Sequence, residues 1–459
     1  MAKIENVSHE FIPIESRNNS AREMFFTWFS ANTVSTTLVT GALAIIIGLD
    51  FFWSCIAIIV GHGLGAIIMA LHAALGPKSG LPQVVQSRAQ FGYYGAILPM
   101  IIIFIMYIGY GSTNIVVVGQ GLKETLNWNL HLTVIFSLIP MVIIAIYGQS
   151  ILQKSMKVIT YVYIVTFIAL TFLLVTNLEG AILKTGNFNL SAFILMTSIC
   201  VTWQITYGPY VADHTRFISP KESVNTFKYT YAGTFLSSAW LMVLGALSAT
   251  MVTDGNVMGQ IKSMGTTGWI ITLLLTVGVL VINSLNIYGA GIILLSIISN
   301  FISFKTTARL RIFATMFIGM IMAVIATFGA GNFMANFQMY LVFVLFFIIP
   351  WSSITLIDFF VLKRNTYHHS EYEKKDGIFR PFNKVTLSIY LVTIVIQIPF
   401  LNTDLYVGTM ATMLNGVDIA WVVGLIFSSV VYYTITKMNA INIPSESNAT
   451  INELDTSID

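Results

Sequence analysis

Charge is scarce in this chain of 459 residues, where 9% of residues are charged and 56% are hydrophobic. A soluble domain carries roughly 25% charged residues, and a body of this size cannot hide so much apolar surface from water. Cysteine is scarce too: the chain has only two, Cys55 and Cys200, which are too few for a disulfide scaffold. The net charge is only +3 and no basic stretch is interleaved with aromatic residues, so we expect no nucleic-acid partner. These deficits indicate a polytopic protein embedded in a lipid bilayer.

The hydrophobic residues form stretches of about 20 residues, the length that a helix needs to cross the hydrocarbon core. The stretches are too long and alternate too little for barrel strands, so the fold class is an all-α polytopic membrane protein. We predict twelve spans, near 27–48, 52–75, 95–122, 131–148, 156–176, 190–211, 229–252, 266–292, 309–328, 333–357, 385–401 and 416–435.

Lysine and arginine are distributed unequally between the two sides of these spans. With the N-terminus inside, 20 of the 23 positive residues fall on the inner side, and only Lys123, Lys184 and Lys262 lie outside. Cytoplasmic loops carry this excess in membrane proteins. We therefore predict that both termini are cytoplasmic and that the protein lies in the plasma (inner) membrane.

The longest loop follows span 10, which divides the spans into ten plus two. Ten helices can form two five-helix units of opposite topology, the inverted repeat of many secondary transporters. The predicted organisation is a tail over 1–26, a transport core over 27–357 with repeats near 27–176 and 190–357, a cytoplasmic loop over 358–384, helices 11 and 12 over 385–435, and a polar tail over 436–459.

Spans 1 and 6 should correspond in such a repeat, and both carry signals of a broken helix. Span 1 is rich in Ser, Thr and Asn from Trp28 to Gly41, and span 6 contains Gly208-Pro209, which can interrupt a helix. Broken helices at equivalent positions point to a binding site at mid-membrane. The alternative is that the small residues only allow close helix packing, as Gly61, Gly63 and Gly65 of span 2 are expected to do.

Aromatic and amide side chains inside the spans are the candidate binding residues. They come from spans 1, 3, 6 and 8, and comprise Asn32, Ser35, Tyr110, Asn114, Trp203, Gln204, Thr206, Tyr207, Asn283 and Asn286. Rings stack on the faces of a flat solute and amides match its polar edge. With no acid or base among them, they suit a neutral heteroaromatic solute. Interior packing and interhelical clamping are the alternative roles.

Ionisable groups inside the spans are few. Asp213 and Arg216 lie three residues apart at the inner end of span 6, and we interpret them as a local ion pair that shapes an inner gate or anchors the helix. His62, near the middle of span 2, could take a proton or could be a neutral, hydrogen-bonded core residue. No carboxylate stands out as a coupling site. The chain also lacks the HExxH, GxSxG and GxxxxGK[ST] motifs, so we predict no enzyme.

Several segments resemble the nucleobase:cation symporter-1 family, and among its members bacterial cytosine/purine permeases. They are Trp28–Asn32 with Thr40-Gly41, the loop Gly76–Gly92, Pro209–Phe217, Pro350–Phe359 and Gln397–Phe400. The resemblance implies a five-plus-five inverted-repeat fold with two extra helices. It also implies import of a nucleobase together with a cation.

The resemblance assigns roles to three of the candidate segments. Tyr110 stands where the family has a stacking tryptophan, with the amide of Asn114 four residues later. Residues 203–207 cover the substrate-contacting stretch of span 6, where any of the rings could stack. Asn286-Ile-Tyr288-Gly289 matches the segment that carries the substrate-binding amide.

One departure from the family concerns the coupling ion, H⁺ or Na⁺. Sodium-coupled members have two adjacent hydroxyl residues early in span 8, where this chain has Val281 and Ile282. Neither side chain offers the oxygen ligand that a hard cation requires. Proton coupling is therefore favoured, although a register shift that brings in Asn283 and Ser284 would restore sodium.

The sequence thus predicts a symporter that imports cytosine or a purine by alternating access, without a cofactor and as a monomer. A related ring, namely allantoin, a hydantoin or hydroxymethylpyrimidine, is the alternative substrate. A channel or a polytopic membrane enzyme are the alternative classes, disfavoured by the isolated polar clusters and by the lack of clustered His, Asp or Glu.

Overall fold

The computed structural model describes residues 9–178, 186, 188–251, 257–329, 333–362, 369–403 and 406–441. Its longer helices are α1 (Glu23–Ala31), α2 (Ser35–Ile46), α3 (Phe51–Ser79), α4 (Ile97–Leu126), α5 (Leu130–Tyr147), α6 (Gln149–Thr176), α7 (Leu190–Ile205), α8 (Gly208–Thr215), α9 (Ser223–Ala249), α10 (Gly265–Ser299), α11 (Ala308–Gly329), α12 (Phe333–Leu356), α13 (Lys384–Gln397) and α14 (Ala420–Ile441). Within the described ranges no strand forms beyond two isolated bridges.

These helices occupy the predicted spans in order. Among the described residues, nine helices are long and apolar enough to cross a membrane, and α1 with α2 forms a tenth, bent span. The shorter apolar helices α5 and α13 lie at the two remaining predicted spans. The all-helical fold is confirmed, while twelve crossings stay a prediction. Lys184 of the predicted outer side, residues 1–8 of the predicted N-terminal tail and residues 442–459 of the predicted C-terminal tail lie outside the described residues.

Helix α6 shows how the surface suits lipid. Val158, Val165 and Phe172 follow one another at intervals of seven residues and so share one helix face. Their side chains are 62%, 68% and 71% exposed. A face this apolar would be a liability in water, but it needs no partner in hydrocarbon.

Span 1 breaks where its polar residues cluster. Helix α1 ends at Ala31 and α2 begins at Ser35 after an extended residue, Val34, with a bend of 59° between the two segments. Side chains replace the lost helical hydrogen bonds: the Thr37 hydroxyl donates to the Asn32 carbonyl at 2.5 Å, and the Asn32 amide donates to the Trp28 carbonyl at 2.8 Å. The break is stable because short polar side chains compete with the helix for its own backbone.

Span 6 is interrupted earlier than the sequence predicts. Helix α7 ends at Ile205, Thr206 and Tyr207 form a turn, and Gly208-Pro209 opens α8. The proline sits in the first turn of α8, where its missing N–H is not needed. It therefore starts a helix and does not break one. The two segments still form a single candidate span, Leu190–Thr215, so the interruption is gentler than the break in span 1.

Glycines allow the closest approaches between helices. A Cβ on Gly245 of α9 would lie 1.9 Å from the Leu38 carbonyl oxygen of α2. On α3, a Cβ on Gly61 or Gly65 would lie 2.6–2.7 Å from backbone carbonyls of α7, whereas one on Gly63 would meet only ordinary contacts at 3.8 Å. The expected close-packing role thus holds for Gly61 and Gly65, and Gly63 does not share it.

Candidate functional site

A small cavity lies between the break of span 1, α4, the interruption of span 6 and α10. All twelve described residues that line it are uncharged: Trp28, Ala31, Val34, Thr36, Tyr110, Asn114, Trp203, Tyr207, Tyr210, Ile282, Leu285 and Asn286. Trp28, Trp203 and Asn286 are at most 6% exposed, so these lining side chains are buried inside the helix bundle.

Aromatic rings from three spans form its walls. The Trp28 and Tyr207 ring centroids lie 5.6 Å apart at 63°, and Tyr207 and Tyr210 lie 5.9 Å apart at 62°. Tyr110 comes from α4, where its hydroxyl donates to Thr206 Oγ1 at 3.1 Å and its ring meets Tyr340 edge-on. Rings held in this way offer π faces to a flat solute.

An amide cluster forms the polar side of the cavity. Asn283 lies behind it, and its Oδ1 accepts from Asn114 Nδ2 at 3.2 Å and from Asn286 Nδ2 at 2.9 Å. The Asn283 amide donates in turn to the Gly111 carbonyl at 3.0 Å, and the Tyr210 hydroxyl donates to Asn286 Oδ1 at 3.0 Å. Asn114 uses its Nδ2 for this contact, so its side-chain Oδ1 is an acceptor beside the cavity that can bind a ring N–H.

The structure separates the candidate residues into two groups. Tyr110, Asn114, Trp203, Tyr207 and Asn286 line the cavity. The others, Asn32, Ser35, Gln204, Thr206 and Asn283, are not among its lining residues.

Most of the second group contacts lining residues. Asn32 Oδ1 accepts from the Trp203 indole at 2.8 Å and thereby joins the break of span 1 to span 6. Thr206 accepts from Tyr110 and Asn283 holds both other amides, while Ser35 is buried in the first turn of α2. We infer positioning roles for Asn32, Thr206 and Asn283.

Gln204 is placed differently from the edge-reading role expected of it. Its amide contacts His62 Nδ1 at 3.0 Å and donates to Ser238 Oγ at 3.0 Å, and its carbonyl accepts from Thr234. The side chain thus connects α7 with α3 and α9, away from the cavity. Neighbouring residues of a helix do not share a face, so with Trp203 facing the cavity, Gln204 has to face elsewhere.

Two lining aromatics were not among the candidate residues. Tyr210 follows Gly208-Pro209 and binds Asn286. Trp28 is completely buried, and its indole N–H has no hydrogen-bond partner in the structure. Such orphaned donors are rare in protein interiors. The signal in the sequence was the position of Trp28 at the start of the polar run of span 1.

Replacing Trp28 with phenylalanine is expected to raise the half-saturation concentration of uptake about five- to tenfold, because a substrate loses one hydrogen bond of about 1 kcal/mol. Uptake of a labelled substrate by membrane vesicles measures this effect. Trp240→Phe is the matched control, since the Trp240 indole donates to Thr171 at 3.0 Å, away from the cavity. Unchanged kinetics in the Trp28 variant would contradict the role.

Asp213 and Arg216 also have partners outside their own helix. The Asp213 carboxylate accepts from the Gln83 backbone N–H at 2.9 Å and from the Tyr107 hydroxyl at 3.4 Å. Arg216 donates to the Glu10 carbonyl at 3.3 Å. Asp213 is completely buried. These hydrogen bonds hold the carboxylate, and its ion pair with Arg216 stays a prediction.

A bundle of membrane-spanning helices around an uncharged cavity, with spans 1 and 6 interrupted beside it, is the architecture of a secondary transporter. Residues 11–424 match the family described as permease for cytosine/purines, uracil, thiamine and allantoin. The chain belongs to this family of permeases.

Two kinds of relative support this assignment. The chain is 35% identical over 440 residues to the putative purine-cytosine permease YxlA of Bacillus subtilis, covering 95% of this chain and 96% of that one. Its fold is similar to that of Mhp1, a nucleobase-cation-symport-1 family transporter in a closed conformation with bromovinylhydantoin bound, with a TM-score of 0.77 at 16% identity over 96% and 97% of the two chains. A Na⁺-coupled sialic acid symporter is also similar, with a TM-score of 0.63 at 12% identity over 93% and 91%. The family resemblance and the transporter fold are thus confirmed.

Proposed function

We propose that this chain imports cytosine or a purine by cation-coupled symport with alternating access. The observation that carries the proposal is the uncharged cavity with rings on its walls and amides on one side. A neutral ring leaves no ion to be paired there, whereas a charged solute would be buried without a counter-charge. The name of the Bacillus relative and the hydantoin bound to Mhp1 support a solute of this kind.

In the proposed binding mode the solute lies between Tyr110 and the rings of span 6. Tyr110 and Tyr207 are the stacking partners, and Trp203, whose indole N–H donates to Asn32, is a further ring on the cavity wall. The Asn114 carbonyl and the Trp28 N–H supply an acceptor and a donor for the solute's polar edge. Asn286, fixed by Tyr210 and Asn283, completes that edge.

Proton coupling is favoured because Val281 and Ile282 of span 8 offer no side-chain oxygen to a cation, and Ile282 presents an apolar side chain to the cavity. Of the alternative ligands, Asn283 Oδ1 already accepts from Asn114 and Asn286. The Ser284 hydroxyl donates to its own helix at 3.2 Å, and its oxygen is the ligand that would restore sodium coupling.

A tyrosine also fills the space between α6 and α10. A Cβ on Gly278 of α10 would lie 1.4 Å from the Tyr163 hydroxyl, so this oxygen rests directly on the glycine backbone. Tyr163 is completely buried. The Tyr163 side chain therefore packs α6 against α10 at this point.

The membrane location, the orientation, the repeats and the oligomeric state predicted from the sequence are part of the proposal. The protein lies in the plasma membrane with both termini in the cytoplasm, works as a monomer, and has its repeats near 27–176 and 190–357. A cysteine accessibility scan at Lys123 and Lys262, both predicted to lie outside, tests the orientation.

Uptake into liposomes with the two gradients imposed separately tests the function. With an alkaline interior, labelled cytosine or adenine is expected to accumulate, about tenfold per pH unit for one proton per solute. An inward sodium gradient at equal pH is expected to give none. Failure of both bases while allantoin, a hydantoin or hydroxymethylpyrimidine is taken up would move the substrate to that ring. Non-saturable flux would indicate a channel, and a chemically altered solute an enzyme.

A further inference from the structure

A carboxylate lies buried in the inner half of span 6, on the same helix as Tyr210, which lines the cavity. Asp213 on α8 has no exposed surface, and its two hydrogen bonds come from the Gln83 N–H and the Tyr107 hydroxyl. Two donors leave part of the acceptor capacity of an ionised carboxylate unused. An acid buried inside a membrane span is a functional candidate, because its charge is costly there.

Two tyrosines connect this carboxylate to the cavity. The Tyr107 ring packs against the Tyr210 ring with centroids 3.9 Å apart. The Tyr210 hydroxyl donates to Asn286 Oδ1 at 3.0 Å, and both Tyr210 and Asn286 line the cavity. A change in the charge of Asp213 therefore acts on the donor Tyr107, which contacts the wall of the site that holds the solute.

The groups around Asp213 come from two helices and one loop. Helix α4 contributes Tyr107, and the loop after α3 contributes the backbone N–H of Gln83. On α8 itself Tyr210 lies one turn before Asp213, His214 follows it directly, and Arg216 lies one turn further along. His214 contacts the Gln149 carbonyl oxygen through Nδ1 at 2.7 Å and stacks near Tyr288 at 5.8 Å. Arg216 is the one cation within a turn of Asp213 on this helix, so it can compensate the ionised carboxylate.

We propose that Asp213 binds the coupling proton, an inference that rests on the proposed proton symport. In a symporter the closed, loaded state contains both the solute and the proton. A proton on Asp213 neutralises a buried charge, whereas a proton on the buried His62 would create one beside the uncharged partners Gln204 and Met242. Of these two groups, the carboxylate is the one that can carry a proton through the closed state at the lower free-energy cost.

The proton and the solute are then linked in a simple sequence. While the cavity is open outward, water delivers a proton to a carboxylate oxygen of Asp213. The neutral acid allows the cavity to close around the solute. Opening at the inner side admits water to α8, the acid returns its proton to that water, and the carboxylate comes under the field of Arg216 as the solute leaves.

Asp213→Asn tests the proposal in liposomes that contain the purified full chain, with labelled cytosine as the probe. Wild type is expected to accumulate cytosine about tenfold per pH unit with an alkaline interior. The variant is expected to lose this accumulation and to keep exchange of internal for external cytosine at equal pH, because the neutral amide mimics the protonated acid. Asp358→Asn is the matched control, since Asp358 is equally buried but accepts from Gln90 and Tyr432, away from the cavity.

The outcomes separate the two proposals. Absence of pH-driven uptake by wild type contradicts the proposed function before any variant is compared. Full accumulation by Asp213→Asn overturns the role of Asp213, and so does loss of both accumulation and exchange in a variant that remains monodisperse.

If Asp213→Asn does not fold, the Tyr107→Phe variant tests the role of Asp213 instead. Removing a donor that favours the ionised carboxylate is expected to raise the pH of half-maximal uptake by about one unit, with exchange at equal pH unchanged. An unshifted pH profile overturns the proposal.

Discussion

Cytosine uptake is expected to fall by about two orders of magnitude when Asn286 is replaced with leucine. Leucine has a similar volume but removes the carbonyl that accepts from Tyr210 and the amide that donates to Asn283. A site built to form hydrogen bonds loses far more than the bond to its solute when one partner is removed, because the remaining polar groups stay buried and unpaired. Initial rates over a range of concentrations measure the loss.

The control for this variant is Asn177→Leu at the end of α6. The Asn177 amide is exposed and donates only to its own helix, to the Leu173 carbonyl at 2.8 Å. We expect uptake within twofold of wild type, since surface substitutions of this kind change stability by about 0.5 kcal/mol at most. Both variants should elute as monodisperse protein in detergent. A loss of less than threefold for Asn286→Leu would show that this amide does not contact the solute.

The arrangement of span 8 shows what the sequence can predict about the site. Asn283 and Asn286 lie three residues apart on one helix face, which correctly indicates that they lie together. The spacing does not say which of them faces the solute. In the structure Asn286 lines the cavity, while Asn283 lies one layer behind and holds both Asn286 and Asn114. That difference depends on the tilt of α10 against α4, which only tertiary packing determines.

In span 6 the sequence does not show which residues face the cavity. Trp203 and Gln204 are neighbours in a stretch where every residue is a plausible contact, and periodicity alone cannot select the face that meets the cavity. The structure assigns Trp203 to the cavity and Gln204 to a network with His62 and Thr234. Asp213 is interpreted as half of an ion pair with Arg216 because residues three apart on a helix are neighbours. The hydrogen bonds that it accepts come from a loop and from α4, more than 100 positions away in the chain, which spacing cannot predict.

The break of span 1 and the cavity depend on the same few contacts. Asn32 binds the Trp28 carbonyl within its own helix, the Thr234 hydroxyl on α9 and the Trp203 indole on α7. A single buried amide therefore holds the end of α1 at a fixed distance from both neighbouring helices. Any motion that opens the cavity between spans 1 and 6 has to break these hydrogen bonds or move their partners together. This requirement gives Asn32 a role at a position with no exposed surface.

Gly245→Ala is expected to disrupt folding, although alanine is the better helix former by about 1 kcal/mol. The added methyl group would lie 1.9 Å from the Leu38 carbonyl oxygen of α2, and this neighbour is backbone that cannot rotate away. Helices α2 and α9 would have to separate by more than 1 Å, and overpacking of this kind costs about 1–3 kcal/mol or more. Thermal unfolding in detergent and the monodisperse fraction measure the effect.

Gly63→Ala on α3 is the matched control for the same chemical change. There the methyl group would meet Phe235 and Tyr231 at 3.8–3.9 Å, which is ordinary van der Waals contact. Only the gain in helix propensity remains, so this variant is expected to be as stable as wild type or slightly more stable. Because Leu38 lies one turn after the break of span 1, the Gly245 variant should also lose cytosine uptake in whatever fraction folds. Equal stability of the two variants would mean that α2 and α9 do not pack at this distance in the membrane.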